Sequence, residues 1–551
     1  MFNNTIPSIY SPTSTQAPSD TVAITESKVV RKSDLPRSRP AQFDELPGLP
    51  RRYIASEKGS ELCRSISDAS ALSGSDRRLV VVSNRLIDPN KPAAGGLAVA
   101  LGEMMHNTDG LWFGWSGKTT DASQVSSVRT ESFGRTTLAQ IDLSKKLHHG
   151  YYEGFSNSVL WPVFHEKLKF ADLNPEYFKD YETVNNLLAS KLGPMLREND
   201  IVWVHDYHLI PFAQQLRAHG CQHRIGFFNH IPLPPPDVIK QIPEHRKLME
   251  GLMSYDLVGM QRPEDVENFR SYAEKEGLVQ RLNERDSGAF RRKPSIQAFP
   301  IGIDVESLRA LQPSSESEAI LDDIRNESGR RKLMVGVDRL DYSKGIPKRL
   351  MAFRELLETR PDLRNHVTLV QIAAPTRQTV PAYAKLSDKT RKLVDEINDQ
   401  FGAIDWKPVM YFNESVDRNA LPEIYRMSRV GVVTPVADGM NLVAKEYIAA
   451  QNPENPGVLV LSTGAGSASQ LSDSLLVPPK DRTAIAKAYV RALEMPRYQR
   501  QDRHVKLMRN VKTEDLRWWR ETYLNALSPS QASAESKSNA IAEADPESGP
   551  S

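Results

Sequence analysis

The sequence predicts an α/β fold with two doubly wound domains in tandem. Short apolar runs recur along the chain, each suited to a strand that is buried on both faces, and helical patterns lie between many of them. Strands that alternate with helices form parallel sheets. One set of runs precedes about residue 305 and the other follows about residue 330, which predicts one sheet for each set. The runs lie at 77–86, 201–205, 225–230, 257–260, 333–337, 367–373, 430–435 and 458–462.

The length of 551 residues exceeds what one hydrophobic core supports, so several domains are expected. Residues 1–77 are rich in Ser, Pro, Thr and Arg without a sustained period, which predicts a disordered tail. We predict the first domain over 78–305 and the second over 306–495. Helices over 496–526 are expected to pack back on the first domain, and 527–551 has the composition of a second tail.

Helical periodicity is clearest at 183–196 and 272–285. The acidic, Ser-rich stretch 311–329 is predicted to be a connection with an amphipathic helix. The stretch TGAGSASQ at 463–470 partly matches the dinucleotide-binding pattern GxGxxG, but the third glycine is absent. We therefore predict a strand-to-helix turn there and not an NAD site.

Composition excludes several classes of function. Hydrophobic residues make up 39% of the chain and charged residues 25%, as in ordinary globular proteins. The 71 basic and 69 acidic side chains nearly balance, which argues against bulk attraction to nucleic acid or an anionic membrane. No apolar run approaches the ~18 residues of a membrane span, and the N-terminus lacks a signal pattern. With only Cys63 and Cys221, a reducing, cytoplasmic location is expected.

Ligands of parallel sheets bind beyond the carboxyl ends of the strands, so the residues after each run are candidate binding groups. In the first set, Arg85 lies at the end of the first run, and Gly95 and Gly96 precede a helix whose free N–H groups suit an anion. Asp206 follows the next run and could accept hydrogen bonds from a hydroxylated ligand. His230 is the last residue of the third run, and ligand binding, proton transfer and a structural role are all open for it.

The second set begins with LMVGVDRLDYSKGIPKRL at 333–350, which places Arg339 and Lys344 between a strand and a helix. A solvated loop would explain these charges, but so would an anion held at a helix N-terminus. Arg377 follows the next run. Further along, Asp438 lies in a tight turn.

After this turn, Asn441 is expected to cap a helix that carries Glu446 in its first turns. The glutamate suits either the helix dipole or a ribose diol.

Together these cations predict at least two anionic groups bound between the domains, such as a nucleotide diphosphate and a phosphorylated small molecule. The chain contains no DxD triplet, so a metal-bridged diphosphate is not indicated and the cations would replace the metal. The HDYH stretch at 205–208 spaces two histidines i, i+3, which leaves a zinc site open. No third ligand is indicated nearby, so a carboxylate that binds ligand hydroxyls is favoured.

Nine sequence motifs that occur in order along the chain, from VVSNRL to NPGVLVLS, resemble those of the trehalose-6-phosphate synthase family of retaining glycosyltransferases. The resemblance covers about 78–525. It implies a GT-B architecture, with two Rossmann-like domains that face an interdomain cleft. It also implies transfer of glucose from UDP-glucose to glucose 6-phosphate, with retention, to give α,α-trehalose 6-phosphate and UDP. The motifs are VVSNRL, AGGLAVAL, LWFGWSG, YYEGFSNSVLWPVFH, WVHDYHL, IGFFNHIP, VDRLDYSKGIP, DGMNLVAKEY and NPGVLVLS.

The resemblance also implies roles for individual residues. Arg85, Tyr152 and Arg377 match the residues that grip the acceptor phosphate. Asp206 matches the residue that meets the acceptor sugar, and Trp161 walls that site.

For the donor, the resemblance assigns the diphosphate to Arg339 and Lys344 and the glucose to His230 and Asp438, and these four form the expected catalytic set. The helix that begins near Asn441 would meet the ribose and phosphate. The full expected donor set is Gly95, Gly96, Arg339, Lys344, Asp438, Asn441, Leu442, Val443, Ala444, Lys445 and Glu446.

The expected mechanism needs neither a cofactor nor a metal ion, because Arg339 and Lys344 would neutralise the leaving diphosphate. The expected partners are the two small-molecule substrates, without nucleic acid or membrane, and a homo-oligomer stays open. Val416 stands where relatives can carry an aromatic residue near uracil, so other nucleotide-glucose donors stay open. Two alternatives are a transferase with another sugar-phosphate acceptor and a non-catalytic sensor of sugar phosphates.

Overall fold

The protein is described here by a computed structural model that covers residues 77–89, 96–121, 127–278, 294–377 and 380–528, with only the backbone for 96–100. The two predicted tails lie almost entirely outside these residues.

The first sheet is built from eight described strands. They are β1 Leu79–Arg85, β2 Gly110–Thr120, β3 Arg129–Phe133, β4 Thr136–Ser144, β5 Ile201–His205, β6 Arg224–Phe228, β7 Leu257–Met260 and β8 Ser295–Ala298. Their order in space is β3-β4-β2-β1-β5-β6-β7-β8. Only the edge pair β3 and β4 is antiparallel. Strand β5 is buried along its whole length because helices cover both faces of the sheet.

The second sheet is built from six described strands, all parallel to their neighbours. They are β9 Lys332–Arg339, β10 Val367–Ala374, β11 Val409–Phe412, β12 Ser428–Val433, β13 Val458–Ser462 and β14 Leu475–Val477. Their order is β11-β10-β9-β12-β13-β14, so the chain winds outward in both directions from the β9–β12 pair. The predicted α/β fold with two doubly wound sheets is confirmed.

Helices of the first part of the chain cover the first sheet. They are α1 Gly96–His106, α2 Lys145–His148, α3 Trp161–Phe164, α4 Pro175–Leu192, α5 Phe212–Ala218, α6 Pro236–Ile239, α7 His245–Leu252 and α8 Pro263–Lys275. A π-helix, His149–Leu160, joins α2 to α3. The helix predicted at 183–196 ends at Leu192, and a 3₁₀ turn follows, Gly193–Met195. The helix predicted at 272–285 is the end of α8, and 279–285 lies outside the described residues.

Helices of the second part cover the second sheet and then return. They are α9 Val305–Ala310, α10 Glu318–Ser328, α11 Ile346–Thr359, α12 Pro381–Phe401, α13 Leu421–Met427, α14 Leu442–Ala450, α15 Arg482–Glu494, α16 Arg497–Thr513 and α17 Leu516–Leu527. The amphipathic helix predicted within 311–329 is α10. Among the described residues, no helix has both the length and the apolar character that a membrane crossing requires.

The last two helices of the described residues contact different sheets. Helix α16 contributes Leu507 and Val511 to the core on one face of the second sheet. Helix α17 packs on the first sheet, where the Tyr523 ring stacks on Trp203 with centroids 4.5 Å apart. The Tyr523 hydroxyl also donates to the Phe227 carbonyl at 3.0 Å. The chain end therefore ties the two sheets into one structure.

Candidate functional site between the two sheets

The carboxyl ends of the two sheets face each other and touch. The loop after β12 brings Gly439 so close to His230, which follows β6, that a Cβ at Gly439 would lie 2.0 Å from the His230 carbonyl oxygen. A second contact joins Arg377, after β10, to the Tyr207 hydroxyl at 3.4 Å. Strand-end residues of both sheets therefore share one site, as parallel topology requires.

Backbone strain is concentrated at this site. Asp206 has φ 79° and ψ 161°, a conformation that is ordinarily reserved for glycine. Arg377 and Asn441 also have positive φ, at 47° and 70°. Of five described non-glycine residues with positive φ, these three were predicted from sequence as site residues. Strain of this kind persists where the surroundings hold it, and it is typical of functional sites.

Asp206 lies at the end of β5, where its Oδ1 accepts a hydrogen bond from the backbone N–H of His230 at 3.2 Å. Burial raises the pKa of the Asp206 carboxyl to about 6. An ionised carboxylate offers about four lone-pair sites, so Asp206 can accept further donors besides the His230 N–H. This placement suits hydroxyl groups of a bound sugar.

His230 is held by a second histidine. The Nδ1 of His205 lies 3.1 Å from the Nε2 of His230, so one of the two rings donates to the other. Burial lowers the pKa of His230 to about 3 and lowers that of His205 well below its usual value. Both rings are therefore neutral at physiological pH, which suits hydrogen bonding to a ligand better than charge neutralisation.

The zinc alternative finds no support in this geometry. The His205 ring turns to His230, whereas the His208 ring stacks on Tyr152 with an interplanar angle of 14°. Within the described ranges, no group of three His, Cys, Asp or Glu side chains is arranged to hold a metal ion.

The π-helix that positions Tyr152 was not predicted. Its wide turns are fastened by side chains that donate to carbonyls five residues earlier, as from Asn157 Nδ2 to the Tyr152 carbonyl at 2.8 Å. Ser156 and Ser158 make equivalent bonds. π-Helices are rare and frequently mark functional sites. The only sequence signal is this run of short polar residues within an otherwise aromatic stretch.

Trp161 is the buried centre of the site. The guanidinium carbon of Arg377 lies 3.8 Å from its ring centroid, and that of Arg339 lies 5.5 Å away. The His165 ring packs against it at 4.1 Å. Burial lowers the pKa of His165 to about 4, and its Nδ1 donates to the Trp161 carbonyl at 2.7 Å. His165 was quoted within a motif but was not predicted as a site residue.

Arg377 has an elaborate set of partners. Its Nη1 donates to Asp341 Oδ2 and to the Tyr383 hydroxyl, both at 2.8 Å. The Tyr383 hydroxyl in turn donates to Asp341 Oδ2 at 3.0 Å. Burial alone would raise the pKa of the Asp341 carboxyl, but Arg377 and Arg339 lower it to about 2, so it is ionised. Tyr383 was not predicted to lie in the site, and the carboxylate of Asp341 was expected to brace the loop after β9 but not to bind Arg377.

The two cations predicted after β9, Arg339 and Lys344, differ in their exposure to solvent. Arg339 is exposed at the end of the strand. Lys344 is buried, and its ammonium donates to Asp438. Gly345, at φ 71°, allows the turn into α11, and a Cβ there would lie 2.3 Å from the Thr434 carbonyl oxygen. Gly345 therefore permits the tight turn between β9 and α11.

Asp438 accepts hydrogen bonds from Lys344 and from Asn441 Nδ2, the latter at 2.9 Å. Burial opposes ionisation of Asp438, but the Lys344 ammonium outweighs it and lowers the pKa of the carboxyl. Asn441 stands at the N-cap position of α14, yet its side chain does not cap the helix as predicted. It bonds to Asp438 instead, because its positive φ directs the chain into the turn.

The glycines of 463–470 support this turn. As predicted, the turn follows a strand, β13, but the helix after it is a short 3₁₀ helix and not an α-helix. A short 3₁₀ turn, Gly466–Ser469, leads to β14. The Asp438 N–H donates to the Gly464 carbonyl at 2.9 Å, and the Gly466 N–H donates to the Asp438 carbonyl at 3.2 Å. Glycines let the two backbones approach closely enough for this exchange.

Helix α14 carries the remaining predicted donor residues. The Lys445 ammonium is buried and donates to the Ile301 carbonyl at 2.8 Å, and burial lowers its pKa to about 8. The Glu446 carboxylate accepts from the Tyr425 hydroxyl at 3.4 Å, and burial raises its pKa. Leu442 and Val443 are half-buried, and Ala444 is buried.

The predicted residues near β1 are only partly described. Gly95 lies outside the described residues, and Gly96 begins α1. Arg85 is exposed at the end of β1, with its guanidinium carbon 5.9 Å from the Trp115 ring centroid. The Tyr152 ring lies 5.9 Å from the same indole, so Arg85 and Tyr152 flank Trp115.

Comparison with known proteins identifies the family of this site. Residues 76–529 match glycosyltransferase family 20. The chain belongs to this family. Trehalose-6-phosphate synthases from Enterobacter sp. (strain 638) and Salmonella typhimurium (strain LT2) are each 42% identical, over 82% of this chain and 95% of the relative.

Several solved structures have the same fold. An α,α-trehalose-phosphate synthase (UDP-forming) from Burkholderia xenovorans, in complex with glucose 6-phosphate, has a TM-score of 0.76 at 42% identity, covering 82% of this chain and all of that one. An Escherichia coli structure bound with UDP-2-fluoro glucose has a TM-score of 0.74 at 39% identity, covering 82% and 99%. The expected GT-B architecture of this family 20 chain is thereby confirmed.

Proposed function

We propose that this chain transfers glucose from UDP-glucose to glucose 6-phosphate with retention, and so forms α,α-trehalose 6-phosphate and UDP. One observation carries most weight: the guanidinium groups of Arg339 and Arg377 both lie within 6 Å of the Trp161 ring. Two like charges at one ring are stabilised when anions lie between or beside them. A diphosphate and a sugar phosphate supply those anions. The relatives named above support this choice of substrates.

The proposed acceptor site lies on the side of the first sheet. Among the described residues, the partners of Arg377 take two N–H groups of Nη1 and one of Nη2, so the Nε–H and the second Nη2–H would bind a phosphate. That edge of a guanidinium fits two phosphate oxygens. Arg85 and Tyr152 would complete the phosphate site, and Asp206 would accept from sugar hydroxyls.

The proposed donor site lies at the turn after β9 and along α14. Arg339 and Lys344 would bind the diphosphate, His230 and Asp438 the glucose, and Glu446 the ribose. Asp438 and Lys344 are paired before substrate binds. Lys344 would exchange this pairing for the diphosphate, which leaves Asp438 free to accept from glucose hydroxyls. Gly95, Gly96 and the backbone of 441–445 belong to the same proposed site.

The reaction breaks the bond between glucose C1 and the diphosphate oxygen. It forms a bond from C1 to the anomeric oxygen of the acceptor on the same face, and the leaving phosphate oxygen takes the acceptor proton. In the proposed complex, Asp438 keeps the hydrogen bond from Asn441 and accepts from glucose hydroxyls, so we propose no covalent carboxylate nucleophile. No general acid is required once Arg339 and Lys344 stabilise the leaving group. We propose metal independence on the same ground, and a cytoplasmic location remains part of the proposal.

The test is release of UDP from UDP-glucose by purified protein, with and without glucose 6-phosphate, followed by NMR of the product. Acceptor-dependent release and an α,α-1,1 linkage are expected, with an unchanged rate in a metal chelator. Parallel reactions with other nucleotide-glucose donors test the base preference that Val416 leaves open. Binding of sugar phosphate without release from any donor would contradict the proposal and favour a sensor.

A further inference from the structure

The turn 341–345 contacts both proposed substrate sites. Asp341 caps its start by accepting from the Ser343 N–H at 2.9 Å through Oδ1. Its Oδ2 binds Arg377, in the proposed acceptor site. The same turn ends in Lys344, which contacts Asp438 in the proposed donor site. One short turn therefore contacts Arg377, which would bind the acceptor phosphate, and carries Lys344, which would bind the donor diphosphate.

The contacts of Asp341 are those of a positioning residue. Its side chain is fully buried, and its Oδ2 receives both Arg377 and the Tyr383 hydroxyl. These bonds fix the Nη1 end of the guanidinium. The opposite edge, Nε–H with Nη2–H, is then the edge that meets a phosphate. Rotation of Arg377 away from that orientation would break two charge-assisted bonds.

The strained backbone of Arg377 depends on the same contacts. Its φ of 47° is one that L-residues adopt at a cost in free energy. The bonds to Asp341 and Tyr383 offset this cost. A change at Asp341 would therefore free both the side chain and the backbone of Arg377, and would remove their link to the turn that carries Lys344.

We propose that Asp341 couples the two substrate sites, so that an anion at Arg377 strengthens binding of a nucleotide diphosphate near Lys344, and the reverse. This inference rests on the proposed function for the identity of the two ligands. The coupling is reciprocal, because each ligand must change the affinity of the other by the same factor. Asp341 touches neither substrate and acts through Arg377 and the turn.

The experiment measures the affinity for glucose 6-phosphate by calorimetry, with and without saturating UDP, and the affinity for UDP alone. In the unaltered protein, UDP is expected to strengthen glucose 6-phosphate binding by about tenfold, within the usual range of couplings between sites. In Asp341→Asn this factor should fall to near one. The affinity for UDP alone should change by less than about threefold, since Arg339 and Lys344 remain.

The control is Asp338→Asn. Asp338 is also a buried carboxylate on this segment, paired with Arg349 at 2.7 Å, but it does not contact Arg377. Its replacement should lower stability and keep the coupling. Tyr383→Phe removes the hydroxyl that contacts Arg377 and Asp341 but keeps the Asp341 carboxylate. It can therefore be used to measure the coupling if Asp341→Asn fails to fold. It should reduce the coupling partially.

Three outcomes would overturn the inference. The first is no coupling in the unaltered protein, and the second is an equal loss of coupling in Asp338→Asn. The third is full coupling in Asp341→Asn or, if that variant does not fold, in Tyr383→Phe. Failure of the proposed function is distinguished by the unaltered protein, which would then release no UDP on addition of glucose 6-phosphate. If release occurs and the Asp341 variant keeps its coupling, the inference alone is wrong.

Discussion

The carbonyl oxygen of His230 approaches Gly439 so closely that no side chain fits between the two backbones at this point. A Cβ at position 439 would lie 2.0 Å from that oxygen, and something must shift. Gly439→Ala should push the loop of Asp438 away from His230. Because displacement of about 1 Å in a site can cost on the order of 100-fold in rate, we expect kcat/KM to fall by about that factor. Steady-state UDP release measures it.

Gly193→Ala is the matched control for this substitution. A Cβ at Gly193 would have no neighbour within 4 Å, so activity should be unchanged. The thermal midpoint of Gly439→Ala should fall by only about a few degrees, since the core of neither sheet is touched. Full activity in Gly439→Ala would show that the two sheets need not approach this closely during turnover.

Arg339→Ala should affect turnover far more than acceptor binding. Arg339 is exposed at the end of β9, where its charge is available to a developing negative charge on the leaving diphosphate. Removing one such donor costs about 100- to 1000-fold in kcat. We expect a loss of this size, with the dissociation constant for glucose 6-phosphate changed by less than about threefold. Rapid-quench kinetics and calorimetry separate the two quantities.

Arg330→Ala serves as the control, because Arg330 is an exposed arginine that follows α10 and has no part in the proposed site. It should match the unaltered protein in both measurements. Equal losses of turnover and acceptor affinity in Arg339→Ala would place Arg339 in the acceptor site instead of the donor site.

The sequence predicted the parts of this structure that local pattern determines. Central strands such as β5 and β9 contain apolar runs that the sequence shows plainly, and their carboxyl ends carry or precede the predicted polar residues. The edge strand β3 was missed, because its residues are exposed or half-buried and show no apolar run. Strand β2 was quoted as a motif but was not predicted as a strand, since its glycines and tryptophans do not follow a strand pattern.

The missed site residues have a different physical reason. Asp341 lies 36 residues from Arg377, and their pairing arises only because β9 and β10 are adjacent in the sheet. No spacing in the sequence indicates such a contact. His165 was missed for another reason. Its role depends on packing against the Trp161 ring and on burial, and both arise only in the tertiary structure.

The Lys344–Asp438 pair should contribute to stability when no ligand is bound. Both side chains are largely buried, so replacing one partner leaves the other charge without full compensation. Lys344→Met and Asp438→Asn should each lower the free energy of unfolding by about 3 kcal/mol. The double variant should lose less than the sum, with a coupling of about 1–3 kcal/mol. Urea unfolding of the four proteins gives this cycle, and strictly additive losses would contradict the pairing.

Acid should destabilise the protein partly through His208. Burial lowers the pKa of His208 from 6.5 to about 3, so between these values the unfolded chain binds a proton that the native protein does not. The free energy of unfolding therefore falls as pH falls below 6.5, by up to about 1.4 kcal/mol per pH unit for this one group. Asp206 acts in the opposite direction between pH 3.8 and about 6, because burial raises its pKa.

His208→Phe isolates the contribution of the histidine. Phenylalanine keeps a ring against Tyr152, with which His208 stacks at 5.7 Å, and removes the titrating group. Between pH 6.5 and 4.5, the slope of unfolding free energy against pH should become shallower by up to about 1.4 kcal/mol per pH unit, which corresponds to one proton. Above pH 7 the two curves should run parallel. Urea titrations at half-unit steps of pH measure both slopes. Identical slopes below pH 6.5 would mean that His208 is protonated in the native protein as readily as in the unfolded chain.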